Sequence, residues 1–310
     1  MSRVRANLVL LLAGAIWGMG FVAQSTAMDD IGPFLFVSTR HLVAAVVVAP
    51  FAWSETKRRR TAASQSEFGP VPWRPFLLIG GVLFVAMSLQ QIGLQTTTVT
   101  NSGFLTGLYV VFTPLLGIAL FRQWPHPVVW PAAIVAVVGI AMLSGGSVGG
   151  WAAGDNWTVL SALGWGFHVT LIGRVVGPSG RPLTMAFVQF AVTAALAGLV
   201  AVAVESVDVA ALGRAAAEIV YAGTLASGLA FSLQAVGQRY TTAPQAAIFL
   251  SSEAPFAAMF GALVLSERIG LVGGIGCCFI FAAMLAVELV PNRRSGRNET
   301  PDVELDVVGR

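Results

Sequence analysis

The sequence predicts an all-α integral membrane protein, and two observations carry that prediction. Hydrophobic residues make up 56% of the 310 positions, charged residues make up only 11%, and the mean hydropathy is +0.78. A soluble domain of this length needs a more polar surface, so we expect the bilayer to be the solvent. Polar and Pro/Gly clusters also divide the chain into apolar segments of about 20 residues, the length that crosses a hydrocarbon core as a helix.

Ten spans are predicted in chain order, near 6–24, 34–53, 75–94, 101–121, 128–145, 156–176, 183–204, 216–236, 244–265 and 270–290. The first lacks a small-x-small cleavage site and is followed by nine more, so we expect it to stay in the mature protein. A polar linker is predicted at about 54–73, and residues 292–310 are predicted to form a disordered cytoplasmic tail.

The distribution of basic residues predicts the topology. Only Arg214 and Arg268 fall on one side of the predicted spans, and Arg40 lies within a span. All the others fall on the opposite side: Arg3, Arg5, Lys57, Arg58, Arg59, Arg60, Arg74, Arg122, Arg174, Arg181, Arg239, Arg293, Arg294, Arg297 and Arg310. By the positive-inside rule that side is cytoplasmic, and an even number of spans places both termini there. We expect a multi-pass protein of a bacterial inner (plasma) membrane.

A six-residue phrase occurs twice, as Ser88–Gly93 and Ser232–Gly237, 144 positions apart. Other landmarks recur in the same order at separations of 148, 149 and 141: Trp17 with Trp165, Arg40 with Gln189, and Pro114 with Pro255. Nearly constant spacing indicates a duplication with altered loops. The sequence therefore predicts two domains, a first five-helix repeat at 1–146 and a second at 147–291.

Five helices per repeat is an odd number, so the second repeat must enter the membrane from the opposite face. The two repeats are then inverted. Gln90 is expected near the outer face of the membrane and Gln234 near the inner face, so the repeated phrase is expected to contribute to both gates. Inverted repeats of this kind allow alternating access around a site at the bilayer midplane. We expect the chain to function as a monomer, with the lipid bilayer and a small-molecule substrate as its partners.

Pro255 is followed by Glu267 twelve residues later and by Gly273 and Gly276 in the last span. In these residues the chain resembles the EamA-type carriers of the drug/metabolite transporter superfamily, and among them bacterial amino-acid exporters, including those of aromatic amino acids. In the first repeat the glutamate position holds His126 instead. The resemblance implies ten helices in two repeats and export of a small metabolite.

Two tryptophans lie near predicted mid-depth at equivalent places in the two repeats. Trp17 shares a helical face with Phe21, and Trp165 shares one with His168. Such faces combine an aromatic wall with polar groups and are typical of a cavity. The alternative is a packed core tryptophan whose N–H donates to a neighbouring carbonyl.

Polar side chains inside spans are costly and normally face protein or water. The candidate binding residues among them are Gln90, Tyr109, Thr113, Gln234, Ser252 and Glu253. Pro255 removes a backbone donor near Glu253, which predicts a bent helix whose carboxyl could hold an ammonium group or a proton. Alternatively, Glu253 pairs with Arg40 or is a protonated structural residue.

A second set of residues is interpreted as gating or structural: Arg40, His41, Pro114, Gln189 and Pro255. Arg40 could meet a substrate carboxylate, but we favour a clamp to Asp29 or Asp30 in the preceding loop. His41 and His168 are more often hydrogen-bonded packing residues than ligands in such a setting. Glycines and the two prolines are interpreted mainly as packing residues and hinges.

Several classes of protein are not supported. The spans carry no metal-binding His-Glu-x-x-His motif, no paired aspartates and no Walker loop, so we expect no catalytic residues, no metal and no cofactor. The net charge of +3 is explained by topology rather than by nucleic-acid binding. A passive channel stays open as an alternative, although an internal duplication favours a carrier.

The expected function is secondary transport of small amphiphilic metabolites, with export of amino acids, including aromatic ones, as the favoured activity. A phosphorylated substrate would need clustered lysine or arginine at mid-depth, and the chain offers one arginine there. Sparse charge beside aromatic residues suits an apolar or aromatic zwitterion. Amines, nucleosides and other small metabolites or drugs are the alternative substrates.

Overall fold

The computed structural model describes residues 1–61, 70–97, 99–143, 152–264 and 270–290. These residues are all-helical and contain no β-strand. The α-helices in chain order are α1 (Arg3–Ala27), α2 (Pro33–Thr61), α3 (Trp73–Leu94), α4 (Val99–Thr106), α5 (Tyr109–Phe121), α6 (Val129–Leu143), α7 (Ala153–Ser179), α8 (Pro182–Val204), α9 (Val209–Arg214), α10 (Ala216–Tyr221), α11 (Ala230–Gln238), α12 (Ala243–Leu250), α13 (Glu253–Val264) and α14 (Leu271–Leu289). A π-helical segment, Ala222–Leu229, joins α10 to α11.

Eight helical stretches of the described residues are long and apolar enough to cross a bilayer. They coincide with eight of the ten predicted spans. The fifth prediction, 128–145, corresponds to an apolar helix that is shorter, Val129–Met142, and the ninth, 244–265, is divided between α12 and α13. An all-helical membrane protein is confirmed, and the count of ten spans stays a prediction.

Two predicted spans, the fourth and the ninth, are interrupted within their length. The fourth, 101–121, breaks at Gly107 and Leu108, where glycine favours irregular backbone and a Cβ would lie 2.8 Å from Ile140 of α6. The ninth breaks at Ser251 and Ser252. Pro255 has no N–H to donate to the carbonyl of Ser251, so the helical ladder is interrupted there as expected.

The predicted linker at 54–73 begins later than expected, because α2 continues to Thr61 and α3 starts at Trp73. The apolar part of the sequence ends near Trp53, but the helix continues through Glu55 and the polar residues that follow it. The junction of the two predicted repeats, 144–151, and the tail at 292–310 lie outside the described residues.

Helices α2 and α8 pack against each other along their length. They are antiparallel, because the backbone N–H of Phe34 at the start of α2 donates to Glu205 at the end of α8, and the N–H of Thr184 at the start of α8 donates to Glu55 near the end of α2. Helices α3 and α7 form a second close pair, as do α6 and α14. Nine of the described helices meet around the centre and position the candidate site: α1, α2, α3, α4, α5, α7, α11, α12 and α13.

Candidate functional site

A small cavity of about 40 Å³ lies where the central helices meet. Seven of the ten residues predicted to bind substrate line it: Trp17, Phe21, Gln90, Tyr109, Trp165, Gln234 and Glu253. Gln90 and Gln234 were expected near opposite faces, yet both line this one cavity. The cavity therefore receives the same position of the repeated phrase from both halves of the chain.

Most of the lining residues form pairs related by the separations of the sequence repeat. The pairs are Trp17 with Trp165 and Phe21 with Val169 at 148, Met87 with Phe231 and Gln90 with Gln234 at 144, and Tyr109 with Leu250 at 141. Equivalent helices of the two halves thus contribute equivalent side chains. This pairing places the cavity between the halves rather than inside one of them.

Four lining residues have no lining counterpart: Gln24, Arg40, Thr106 and Glu253. At the same separations the other half carries Ile172, Gln189, Ala247 and Phe112. Each of the four is polar, and two are charged, whereas the counterparts are neutral and mostly apolar. The shape of the cavity is therefore contributed by both halves, but its charge comes from positions at which the halves differ.

Phe231 is the centre of the aromatic wall and is 1% exposed. Its ring centroid lies 4.7 Å from that of Trp17 and 5.8 Å from that of Trp165, whose plane is inclined by 17°. His168 and Phe190 each approach it to 6.0 Å edge-on. Packing of this kind holds the rings in a fixed orientation, so the wall is a preformed aromatic surface.

Trp17 and Trp165 are equivalent in sequence but differ in their hydrogen bonds. Nε1 of Trp17 donates to the carbonyl of Ala226 at 2.7 Å, as expected of a tryptophan packed in a core. Nε1 of Trp165 is buried and has no partner among the described residues. The indole N–H of Trp165 is therefore a donor that remains available to a solute.

Further polar atoms around the cavity are unsatisfied by the described residues. They are Oε1 of Gln24, Oη of Tyr109, both amide atoms of Gln234 and Oε1 of Glu253. Buried polar groups normally have partners, so a cluster of exceptions marks a place where a ligand or water binds. The cavity combines apolar rings with donors and acceptors of both kinds.

Arg40 is 1% exposed and lines the cavity. Its Nε donates to Oγ of Ser227 at 3.0 Å, and its guanidinium lies 5.5 Å from the centre of the Phe36 ring. The expected clamp to Asp29 or Asp30 is not formed. Asp30 pairs instead with Arg214 at 2.5 Å, and this hydrogen bond raises the pKa of Arg214.

Glu253 is the first residue of α13, directly after the break in the ninth predicted span. No ion pair joins it to Arg40 within the described part of the chain, so the pairing considered from sequence is not observed. Its carboxyl lies close enough to the Tyr109 phenol to interact electrostatically, but neither Oη of Tyr109 nor Oε1 of Glu253 has hydrogen-bond geometry to a described residue.

Three predicted binding residues do not line the cavity. Oγ1 of Thr113 donates to the carbonyl of Tyr109 at 2.7 Å, and Nε2 of His168 is 2.9 Å from Oε1 of Gln189. Ser252 faces α1, where a Cβ on Gly14 would lie 2.2 Å from its Oγ. These side chains lie behind the cavity wall, and Gln189, predicted as gating or structural, is the hydrogen-bond partner of His168.

The remaining residues interpreted as gating or structural also lie away from the cavity. His41 is fully buried, with Nδ1 2.7 Å from the carbonyl of Val37. Pro114 lies inside α5 and Pro255 lies in the first turn of α13. His41 and His168 thus each have a hydrogen-bond partner at one ring nitrogen. The described residues contain no group of three His, Cys, Asp or Glu side chains that could hold a metal ion.

Four apolar residues that line the cavity were not predicted from sequence: Met87, Phe231, Val169 and Leu250. A signal for Met87 and Phe231 was present, because each immediately precedes the repeated phrase. Leu250 and Val169 follow from applying the repeat separations to Tyr109 and Phe21. Apolar residues are hard to select from sequence alone, since most apolar residues of a membrane protein face lipid or packed helices.

The chain is similar to other proteins over most of its length. The chain is 28% identical over 293 residues to an uncharacterized transporter of Archaeoglobus fulgidus, covering 93% of this chain and 87% of the relative. It is 24% identical over 310 residues to a WAT1-related protein of Arabidopsis thaliana, covering 87% and 80%. A solved crystal structure of another protein shares the fold with a TM-score of 0.76 at 18% identity, over 94% of this chain and 99% of that one.

The family model of the EamA-like transporters matches the chain twice, at residues 4–145 and at residues 152–289. The two matches together cover nearly all of the described residues, including every residue that lines the cavity. The chain belongs to the EamA-like transporter family of the drug/metabolite transporter superfamily.

Proposed function

We propose that the chain is a secondary transporter of the bacterial inner membrane that exports small amphiphilic metabolites, including aromatic amino acids. Transport proceeds by alternating access, in which two inverted five-helix halves expose one central cavity to the two sides in turn. The observation that carries the proposal is the construction of the cavity from paired residues of both halves. Exchange of conformation between the halves then changes access without moving the site itself.

Two further features support the inverted arrangement. The family model matches each half of the chain separately, which agrees with a duplication. Helices α2 and α8, which are equivalent in the repeat, are antiparallel and make reciprocal end contacts. An inversion of one half relative to the other produces this relation between equivalent helices.

The chemistry of the cavity supports an amphiphilic, overall neutral solute. Phe231, Trp17 and Trp165 provide apolar rings, and the lining carries one cation, Arg40, and one carboxyl, Glu253. A solute bearing both an ammonium and a carboxylate group can satisfy the two charges, while its side chain packs on the rings. A phosphorylated solute carries more negative charge than a single arginine offsets.

Counterflow in liposomes containing the purified protein tests this function. Liposomes preloaded with unlabelled phenylalanine should accumulate labelled phenylalanine transiently and saturably, whereas a channel would give flux proportional to concentration without exchange. The screen should include aliphatic amino acids, amines, nucleosides and sugar phosphates at two pH values. Counterflow with sugar phosphates and none with amino acids would reject the proposed substrates.

Repeating the counterflow screen with Glu253→Gln tests the role of the unsatisfied carboxyl. If Glu253 binds the solute ammonium or a proton, the variant should lose the response of transport to pH and should accept amines less well than the wild type. The same pH response in both proteins would exclude Glu253 as the proton-binding group, and unchanged acceptance of amines would exclude it as the ammonium-binding group.

A further inference from the structure

Arg40 is a buried cation without an anionic partner among the residues that the structure describes. The two ion pairs found there join Arg3 to Glu288 and Arg214 to Asp30, at the ends of the helices. Arg40 has Ser227 on Nε and the thioether of Met87 4.0 Å from one terminal nitrogen. Neither partner carries charge, so the positive charge of the guanidinium at the cavity is not compensated.

An uncompensated charge within the membrane is energetically costly, and such residues are generally functional. Hydrogen bonding to a hydroxyl reduces that cost only partly, since the guanidinium offers five N–H donors in a planar fork. The fork matches the two oxygens of a carboxylate, and the terminal nitrogens of Arg40 have no oxygen acceptor among the described residues.

We propose that Arg40 is the anion-binding residue of the cavity and takes the carboxylate of the solute, with Ser227 as a positioning residue. This assignment rests on the proposed function and replaces the expected clamp to the outer loop. The carboxylate then lies at the Arg40 side of the cavity, and an apolar solute group can reach the aromatic wall around Phe231.

The position of Ser227 in the π-helical segment explains how Arg40 is held. A π-helical turn contains one more residue than an α-helical turn, and such turns frequently occur at functional sites. The segment accepts hydrogen bonds from α2 through Ser227 Oγ and from α1 through the carbonyl of Ala226, which binds Trp17. At the repeat separation of 144, the first half carries ordinary α-helix at 78–85 within α3.

Selectivity for the acid over its carboxamide provides the test, because the two solutes differ only in the group that Arg40 would bind. Wild-type protein in liposomes is expected to have a lower half-saturation concentration for phenylalanine than for phenylalaninamide. Loss of a charged hydrogen-bonding partner changes affinity by roughly 10- to 100-fold. Arg40→Gln should therefore raise the half-saturation concentration for the acid by about this factor and change that for the amide little.

Variants of the π-helical segment separate positioning from packing. Ser227→Ala should reduce the preference for the acid by several-fold, because Nε loses its acceptor, whereas Thr224→Ala should leave the preference unchanged. Thr224 lies in the same segment, but its hydroxyl donates only to the carbonyl of Val220. Arg40→Lys, which retains charge without the fork, should fall between the wild type and Arg40→Gln.

Each outcome decides between the proposals. Equal losses for acid and amide in Arg40→Gln would make Arg40 a structural residue and overturn the inference. If that variant does not fold, an unchanged preference in folded Ser227→Ala overturns it instead. Wild-type counterflow that does not distinguish acid from amide contradicts the assignment of Arg40 alone, whereas absence of any counterflow contradicts the proposed function.

Discussion

Glu55 and Glu205 cap each other's helices. The carboxylate of Glu205, at the end of α8, accepts the backbone N–H groups of Phe34 and Leu35 at 2.9 and 2.8 Å in the first turn of α2. The carboxylate of Glu55, near the end of α2, accepts those of Leu183 and Thr184 at 3.3 and 2.8 Å in the first turn of α8. Each helix therefore supplies the N-terminal cap that the other lacks.

These caps compensate for N-terminal residues that provide none. Gly32 has no side chain, and Arg181 makes no side-chain cap hydrogen bond in α8. The first N–H groups of a helix have no partner within it, and a carboxylate there also interacts favourably with the helix dipole. A Cβ on Gly32 would lie 2.3 Å from Cδ of Glu205, so the glycine leaves room for the carboxylate.

Removing either carboxylate should destabilise the protein by similar amounts. Loss of an N-cap side chain costs about 0.5 to 2 kcal/mol, and we expect Glu55→Ala and Glu205→Ala each to lower the free energy of unfolding within that range. The two sites lie at opposite ends of a helix about 30 Å long, so the effects should add in the double variant. Thermal unfolding in detergent measures both. Asp29→Asn, at an exposed carboxylate with no partner among the described residues, serves as the control, and an equal shift there would contradict the interpretation.

Two equivalent glycines permit close crossings next to the cavity. A Cβ on Gly18 of α1 would lie 2.6 Å from the backbone nitrogen of Ala257 in α13, and one on Gly166 of α7 would lie 2.8 Å from Cβ of Phe112 in α5. Gly18→Ala and Gly166→Ala should each destabilise by about 1 to 3 kcal/mol through overpacking. Gly81→Ala should be neutral or stabilising, because no atom lies within 4 Å and alanine favours helix. Unfolding midpoints that do not separate Gly81→Ala from the other two would show that these crossings tolerate a methyl group.

Much of the site that could be predicted from sequence is the part that the repeat preserves, although Glu253 was predicted at a position where the two halves differ. Trp17, Trp165, Gln90 and Gln234 stand out because unusual residues recur at a fixed separation, and all four line the cavity. The helices could also be predicted from sequence, because the length of an apolar segment is a local property of the chain.

Features that depend on distant contacts could not be predicted. Arg40 and Ser227 are 187 residues apart, and no local pattern connects them. The π-helical segment has an ordinary apolar sequence, so its extra residue per turn is evident only from the packed structure. The caps were missed because Glu55 falls in a segment that composition assigns to a polar linker.

The pair formed by Met87 and Phe231 predicts how substrate selectivity is set. The positions are equivalent, both line the cavity, and only the second half places an aromatic ring there. Phe231→Met would make the halves alike and remove the centre of the aromatic wall. An aromatic pair contributes about 0.5 to 1.5 kcal/mol, so the preference for phenylalanine over leucine in counterflow should fall by roughly 2- to 10-fold. Phe190→Met is the matched control, because Phe190 contacts Phe231 without lining the cavity; a similar fall in that variant would attribute the effect to packing.

The positions of Arg214 and Lys57 make the predicted topology testable. The side chain of Arg214 is 57% exposed beside Asp30, and Lys57 is exposed near the end of α2. In a background with Cys277 and Cys278 changed to alanine, Arg214→Cys should react with a membrane-impermeant maleimide added to intact cells. Lys57→Cys should react only after the membrane is opened.

Loss of the exposed ion pair with Asp30 should not prevent folding, because such pairs contribute little to stability. Since α2 and α8 are antiparallel, labelling of both positions from the same side would contradict the inverted arrangement, and labelling of Lys57→Cys alone in intact cells would reverse the orientation while leaving the cavity between the halves.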